Sequence, residues 1–271
     1  RKEIITQKGK IDLLKLLPIL THYSNDSGPY ITSGITSVRD PEDGVIGRGL
    51  HRMEVRGKNE LGISLINPPL SEIYAHYKKE NRKMEVATVI GVDPAILIAL
   101  ISKVPRGMDK LSVAGGLKGK PIQMVRAETV DVDIPAHAEI VIEGESPPPE
   151  KETRPEGPFG EWTGYYGRQG QTPVIEIERI YYRNNPILLG SSPGRPPSCD
   201  GIYFRSLFRS AKLHDELTQA GIQDVKGVWL TKDTNGPFLI VVSLKQRYAG
   251  HAKQAALLVS QFRTSGRQGR Y

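Results

Sequence analysis

The chain has 271 residues, of which 38% are hydrophobic and 25% are charged, and its formal net charge is +7. This length allows one large or two ordinary domains with a substantial core, and the composition is that of a globular protein. No apolar run reaches the ~20 residues that cross a bilayer. The single cysteine, Cys199, excludes an internal disulfide, and the charged start at Arg1 predicts no secretory leader. We therefore expect a cytoplasmic protein.

The first two-thirds of the sequence predict mainly β-strands. Four segments have the length or the alternation of strands: residues 61–66, 86–90, 130–134 and 175–180. One helix is predicted among them, because Asp93 is a suitable N-cap, Pro94 suits the first helical position and Ala95 to Ser102 is apolar.

The pattern changes after residue 190. A proline-rich loop at residues 191–199 marks a domain boundary or an active-site lid. Beyond it, two helices and two buried strands are predicted at residues 203–219, 251–263, 228–230 and 238–244. This alternation indicates a small α/β layer after a β-rich body, and the fold class is therefore α+β.

Residues 156–167, with the sequence EGPFGEWTGYYG, carry the strongest functional signal. Glu156 and Glu161 flank a Gly-Pro-Phe-Gly turn, which proline stiffens and glycine bends. Two carboxylates in one cleft push their pKa values apart, so that one can keep a proton while the other stays charged. The segment is thus interpreted as a proton-transfer device. The alternative is a solvated acidic turn.

This turn closely resembles the signature of the UbiD-type decarboxylases, which use prenylated flavin mononucleotide (prenylated FMN). Four further segments resemble family motifs in the same order: residues 27–34, 51–55, 134–144 and 242–253. The resemblance implies a split β-barrel flavin domain at residues 1–190 and an α/β portion at residues 191–271 that helps the protein to form homo-oligomers. Because family members are usually much longer, the chain is expected to be a fragment or a shortened homologue.

The resemblance places a catalytic network on Arg52, Glu156 and Glu161. An arginine beside two carboxylates stabilises one as the anion and can hold a substrate carboxylate. Glu161 is then the expected proton donor to the carbon that loses carbon dioxide. The implied reaction is the reversible decarboxylation of an aromatic or α,β-unsaturated carboxylic acid, with the cofactor supplied by a flavin prenyltransferase.

Further residues are expected to contact the cofactor: Thr32, Gly49, Leu50, His51 and Lys245, with Lys110 added by the charge argument below. The family commonly holds the cofactor phosphate through a divalent metal such as manganese, with potassium nearby. The positions of the three metal ligands fall here on Gly47, Leu70 and Lys110, so neither ion is expected. We hypothesise that Lys110, with Arg48 or Lys245, replaces the positive charge of the metal at the phosphate.

Two alternatives remain open. The rewritten metal positions are also typical of a non-catalytic UbiD-like subunit. The positive net charge suits a basic β-barrel that binds nucleic acid, but only 7% of residues are aromatic and several of them cluster at the glutamate turn. Nucleic acid and membrane are therefore not expected partners, and a small carboxylic acid is.

Overall fold

The structure is a computed structural model that describes residues 4–8, 11–102, 104, 108–167, 169–194, 200–231, 239–262 and 264–265. The described residues form two compact units. The described residues of the first unit fall within Arg1–Ile101, Met108–Phe159 and Tyr166–Gly190, and those of the second within Ser102–Gly107, Gly160–Tyr165 and Ser191–Tyr271. Within the described ranges, no helix is long and apolar enough to cross a membrane. The predicted domain boundary after residue 190 stays a prediction.

The first unit contains ten strands and four helices in its described part. The strands are β1 Ile4–Lys8, β2 Tyr30–Arg39, β3 Ile46–Val55, β4 Glu60–Ile63, β5 Met84–Ile90, β6 Met124–Arg126, β7 Asp133–Pro135, β8 Ile140–Ser146, β9 Thr153–Glu156 and β10 Gly170–Arg183. The helices are α1 Leu13–Leu16, α2 Leu70–Glu80, α3 Pro94–Ile101 and α4 Lys110–Lys118.

Six of these strands close into an antiparallel barrel. They follow one another in the order β10, β4, β3, β2, β5 and β8, and β8 pairs with β10 to complete the ring. Strand β1 adds to one part of β10, and β9 pairs with the beginning of β10. The predicted split β-barrel is confirmed, and closure removes most of the unpaired strand edges that an open sheet would expose.

Two apolar clusters hold the barrel together. The larger joins buried residues of the barrel strands to α2, with Met53, Leu61 and Ile180 fully shielded from solvent. The second joins Ile35 of β2 and Val89 of β5 to helices α3 and α4. Successive side chains of a strand point to opposite faces of the sheet, so the two faces pack into different clusters.

The predicted helix near residue 93 is confirmed. It is α3, and the side chain of Asp93 accepts a hydrogen bond from the backbone N–H of Ala95 at 2.9 Å. The strand predicted at residues 61–66 ends at Ile63.

The strand predicted at residues 130–134 is largely wrong, because only its last two residues belong to β7. The preceding loop turns back on itself around the buried carboxylate of Glu143. That carboxylate accepts the backbone N–H groups of Glu128 and Thr129 at 3.1 and 2.7 Å, and the Thr129 hydroxyl at 2.5 Å. A carboxylate on β8 therefore takes the backbone N–H groups of the loop, and this contact overrides the alternating pattern.

The second unit contains α5 Asp200–Gln219, β11 Val225–Leu230, β12 Ile240–Leu244 and α6 His251–Gln261 in its described part. The two strands form an antiparallel pair, and a small apolar cluster joins them to both helices. The prediction that these strands are buried is wrong for one face, since Trp229 and Val241 are 43% and 49% exposed. The α/β character of this portion is confirmed.

Barrel closure generates the first testable prediction. A Cβ atom at Gly144 would lie 2.1 Å from the carbonyl oxygen of Glu176, where β8 meets β10. We expect Gly144→Ala to lower the free energy of unfolding by about 1–3 kcal/mol, because the two strands must separate to admit the methyl group. Urea denaturation measures this.

Gly116→Ala is the matched control. A Cβ atom there meets nothing within 4 Å, and Gly116 lies inside α4. The control should be neutral or stabilising by up to about 1 kcal/mol. Equal stability of Gly144→Ala and the parent would contradict the tight β8–β10 approach.

Candidate active site

An ion pair between Arg52 and Glu156 is the centre of the candidate site. Arg52 lies on β3 and Glu156 ends β9. The Nε and Nη2 atoms of Arg52 donate to the two carboxylate oxygens of Glu156 at 2.8 and 3.0 Å. The two side chains are only 14% and 3% exposed. This fork-to-carboxylate geometry, shielded from water, is the strong form of an arginine–glutamate contact.

Two aromatic residues enclose this pair. The guanidinium carbon of Arg52 lies 5.0 Å from the ring centroid of Phe159, and the ring of Tyr30 lies 4.3 Å from that of Phe159. The Tyr30 hydroxyl donates to Oε1 of Glu156 at 3.2 Å. Burial raises the pKa of Tyr30, and the Glu156 and Glu54 carboxylates raise it further, so the phenol keeps its proton.

The sequence interpretation gave Tyr30 and Phe159 no role. Both lie in segments that resemble family motifs, but their contacts depend on the pairing of distant strands. The only signal that the sequence offered for either residue is its aromatic side chain, because aromatic rings are usually buried.

The turn that follows Glu156 is fixed by its backbone. Gly157 has a φ of +89°, a region that favours glycine. The carbonyl of Pro158 accepts the N–H of Ser27 at 2.9 Å, and that of Phe159 accepts the N–H of Gly167 at 2.8 Å. The turn therefore holds Phe159 against the segment that leads into β2.

Glu161 lies in the second unit. Its backbone N–H donates to the carbonyl of Tyr165, and its own carbonyl accepts the N–H of Gly164, both at 2.9 Å. These bonds close a short turn, and the Glu161 side chain is partly buried. Its predicted place in the network with Arg52 and Glu156 stays a prediction.

His51 is a buried neutral imidazole beside Arg52. Its Nδ1 lies 3.0 Å from the carbonyl oxygen of Ser64, which can only accept, so Nδ1 carries the proton and Nε2 is an acceptor. Burial lowers the pKa of His51, and the nearby Lys110 charge lowers it further. A Cβ atom at Gly49 would lie 2.5 Å from Nε2, which explains the glycine. Leu50 points to the other side and packs on the second apolar cluster.

Arg48 and Lys110 bring positive charge to the beginning of α4. Arg48 donates to the carbonyl of Asp133 at 2.9 Å, while its Nε is buried without a hydrogen-bond partner among the described residues. Burial lowers the pKa of Arg48, and the carboxylate of Asp109, the N-cap of α4, opposes this. Lys110 donates from Nζ to the carbonyl of Leu100 at 2.8 Å. This donor set suits an anion.

Gly47 and Leu70, which occupy positions of metal ligands in the family resemblance, are buried and apolar. Gly47 is buried, and a Cβ atom there would lie 2.3 Å from Cδ1 of Ile73 and 3.4 Å from Cδ1 of Leu70. Leu70 is 1% exposed within the larger apolar cluster. The two positions are neighbours, but they are filled by packing and offer no ligand atom. They do not fit a metal ion.

The last two predicted cofactor residues lie apart from this group. Thr32 is on β2, and a Cβ atom at Gly190 would lie 3.8 Å from its hydroxyl oxygen. Lys245 follows β12 in the second unit, where its backbone N–H donates to the carbonyl of Asp224 at 3.0 Å and its side chain is exposed. Contacts of both with a cofactor stay predictions.

Solved structures that are similar to this chain include two of the UbiD-class enzyme HmfF. HmfF from Pelotomaculum thermopropionicum, in complex with FMN, is 36% identical with a TM-score of 0.88, over 99% of this chain and 58% of that one. An evolved dimeric form of HmfF, in complex with prenylated FMN, is 35% identical with a TM-score of 0.88, over 99% and 60%. Vanillic acid decarboxylase from Sedimentibacter hydroxybenzoicus is 25% identical with a TM-score of 0.86, over 99% and 56%.

Sequence profiles agree with these structures. Residues 1–196 match the UbiD family, described as the 3-octaprenyl-4-hydroxybenzoate carboxy-lyase Rift-related domain, and residues 202–267 match its C-terminal domain. The chain belongs to the UbiD family. A curated relative, the uncharacterized protein sll0936 of Synechocystis, is 28% identical over 94% of this chain and 50% of its own length. The chain thus spans between half and three-fifths of these relatives.

The shielded ion pair generates the second prediction. Glu156→Leu removes the carboxylate that offsets the Arg52 charge, and we expect it to lower the free energy of unfolding by about 3–5 kcal/mol. Adding Arg52→Met should restore most of that loss, because an apolar pair of similar volume needs no compensation for lost hydration. Chemical denaturation of both single variants and the double variant measures this. A double variant as unstable as the sum of the two would contradict a coupled pair.

Proposed function

We propose that the protein carrying this chain is a carboxy-lyase that decarboxylates an aromatic or α,β-unsaturated carboxylic acid with prenylated FMN. The observation that carries the proposal is the bidentate Arg52–Glu156 pair, which joins barrel strand β3 to β9 in a UbiD-family chain. Two related structures, both of HmfF, contain FMN or prenylated FMN, and a third related structure is a vanillic acid decarboxylase. A homo-oligomer is part of the proposal, as the dimeric form of HmfF suggests.

Arg52 would have two functions in this reaction. Its fork keeps Glu156 charged and oriented, and its positive charge attracts the carboxylate of an incoming acid. The Phe159 face beside the guanidinium excludes water from one side of the pair, which strengthens both interactions.

Glu161 would complete the proton balance. Prenylated FMN, when bound, withdraws electron density from the carbon that bears the carboxylate. The carbon–carbon bond to the carboxylate breaks, its electron pair stays on the substrate carbon, and carbon dioxide leaves. A proton from Glu161 then takes the place of the carboxylate, and water reprotonates Glu161. The reverse sequence would carboxylate the product.

The cofactor phosphate would be held by Arg48 and Lys110 in place of a metal. The buried Nε of Arg48 needs an acceptor, and an anionic oxygen supplies one without a bridging ion. The apolar packing of Gly47 against Leu70 supports the same conclusion. Whether Lys245 adds a third positive charge is part of the proposal.

The third prediction tests the reaction. Arg52→Lys keeps the positive charge but loses the paired N–H donors of the guanidinium. Glu156→Gln keeps the shape of the side chain but loses its negative charge. We expect each to lower kcat/KM at least about 100-fold, since preorganised charge at a reacting centre is usually worth that much. The measurement is carbon dioxide release from a panel of aromatic and unsaturated acids, with protein co-expressed with a flavin prenyltransferase.

Arg82→Lys is the control for that panel. Arg82 pairs with Glu80 at an exposed position, so its replacement should leave turnover unchanged. Full activity of Arg52→Lys would contradict the assigned role. A parent protein that binds no flavin under any reconstitution would favour the non-catalytic subunit, and salt-dependent binding of DNA or RNA would favour the nucleic-acid alternative.

The fourth prediction tests the phosphate side. Lys110→Gln should weaken flavin binding about 10- to 100-fold, the usual value of one charge-assisted hydrogen bond. Lys79→Gln is the control, since Lys79 is 79% exposed. Flavin affinity is measured by fluorescence, and metal content by elemental analysis. Stoichiometric manganese retained together with the flavin would contradict a metal-free phosphate site.

A further inference from the structure

We propose that Tyr30 is a positioning residue, which keeps the Glu156 carboxylate charged and in one orientation, with Arg56 fastening the strand that carries it. The catalytic meaning of this inference rests on the proposed function. The contacts themselves do not depend on that function, because they are made by residues of the first unit alone.

Tyr30 links Ser27 to Glu156 through one hydroxyl. The phenol oxygen lies 3.2 Å from Oε1 of Glu156 and 2.9 Å from the hydroxyl of Ser27. A phenol has one proton, and a carboxylate can only accept. The Tyr30 proton therefore goes to Glu156, and Ser27 donates its own proton to Tyr30. Such a chain strengthens the terminal bond, because each donation polarises the next group.

The Tyr30 hydroxyl gives the two carboxylate oxygens of Glu156 different sets of hydrogen-bond donors. Oε1 accepts from both Arg52 and Tyr30, whereas Arg52 Nη2 is the donor to Oε2. Rotation of the carboxylate would break this arrangement. The Tyr30 ring is 2% exposed and packs at 42° against Phe159, which in turn faces Arg52, so the phenol is held in place by close packing.

Arg56 controls the backbone on which Glu156 stands. Its side chain is 7% exposed and donates from Nε to Glu54 at 3.1 Å. Its Nη2 donates to the carbonyl of Pro155, the residue before Glu156, at 2.8 Å. A Cβ atom at Gly62 would lie 2.3 Å from the guanidinium carbon, so Gly62 leaves the space that Arg56 occupies. The buried guanidinium of Arg56 thus fixes the position of β9.

The Tyr30 hydroxyl also affects proton binding at Glu156. A hydrogen bond donated to a carboxylate favours its charged form. Removing the Tyr30 hydroxyl therefore makes protonation of Glu156 easier, so the carboxylate should take up a proton at a higher pH than in the parent. A residue that served packing alone would not change this titration.

The experiment compares Tyr30→Phe with Tyr77→Phe. Tyr77 is also buried, and its hydroxyl donates to the carbonyl of Arg39 at 2.9 Å, away from Glu156. Infrared titration of the flavin-free protein follows the protonated carboxyl band, and Glu156→Gln identifies the part of the band that belongs to Glu156. We expect Tyr30→Phe to move that titration up by about 0.5–1 pH unit and Tyr77→Phe to leave it unchanged.

Two further measurements keep the result decisive. Ser27→Ala leaves Tyr30 in place and should give a smaller shift in the same direction, which covers the case in which Tyr30→Phe does not fold. In the loaded enzyme, Tyr30→Phe should lower kcat about 10-fold with KM almost unchanged. Identical titrations of parent, Tyr30→Phe and Ser27→Ala would overturn the inference. A shift without any turnover in the parent would instead overturn the proposed function and leave the positioning role standing.

Discussion

The structure depends on a charged pair in a place where water is scarce. Arg52 and Glu156 lie on strands that are not neighbours in sequence, and each would be costly to bury without the other. Their contact therefore constrains the position of β9 relative to β3 and the conformation of the turn that follows. Apolar packing alone would be a cheaper way to fill this volume, so the pair is better explained by chemistry than by stability.

The surrounding fold supplies rigidity in layers. The closed barrel fixes the strands, aromatic rings fix the side chains of the pair, and a second arginine fixes the backbone beside it. Glycines occur where two groups approach too closely for a side chain, as at Gly49 beside His51 and Gly62 beside Arg56. Such glycines are conditions of packing, and they are distinct from the glycine in the turn, which is needed for its φ angle.

Local features of the fold were predictable from sequence, and features that depend on distant contacts were not. The cap at Asp93 and the alternating strand at residues 175–180 obey rules that act within a few residues. The loop near residue 130 escaped prediction because its hydrogen-bond acceptor, Glu143, is more than ten residues away. The resemblance to family motifs also predicted that Arg52 and Glu156 belong to one network. No periodicity in the sequence could reveal that the Tyr30 hydroxyl contacts a carboxylate 126 positions later.

The carboxylate of Glu143 has an influence that extends beyond its own loop. By collecting the N–H groups of residues 128 and 129, it sets the path into β7, where the carbonyl of Asp133 accepts from Arg48. A carboxylate on β8 thereby influences which carbonyl the half-buried Arg48 side chain on β3 can reach. Among homologues, exchanges at Glu143 should accordingly accompany exchanges at Arg48, so the two positions are expected to vary together.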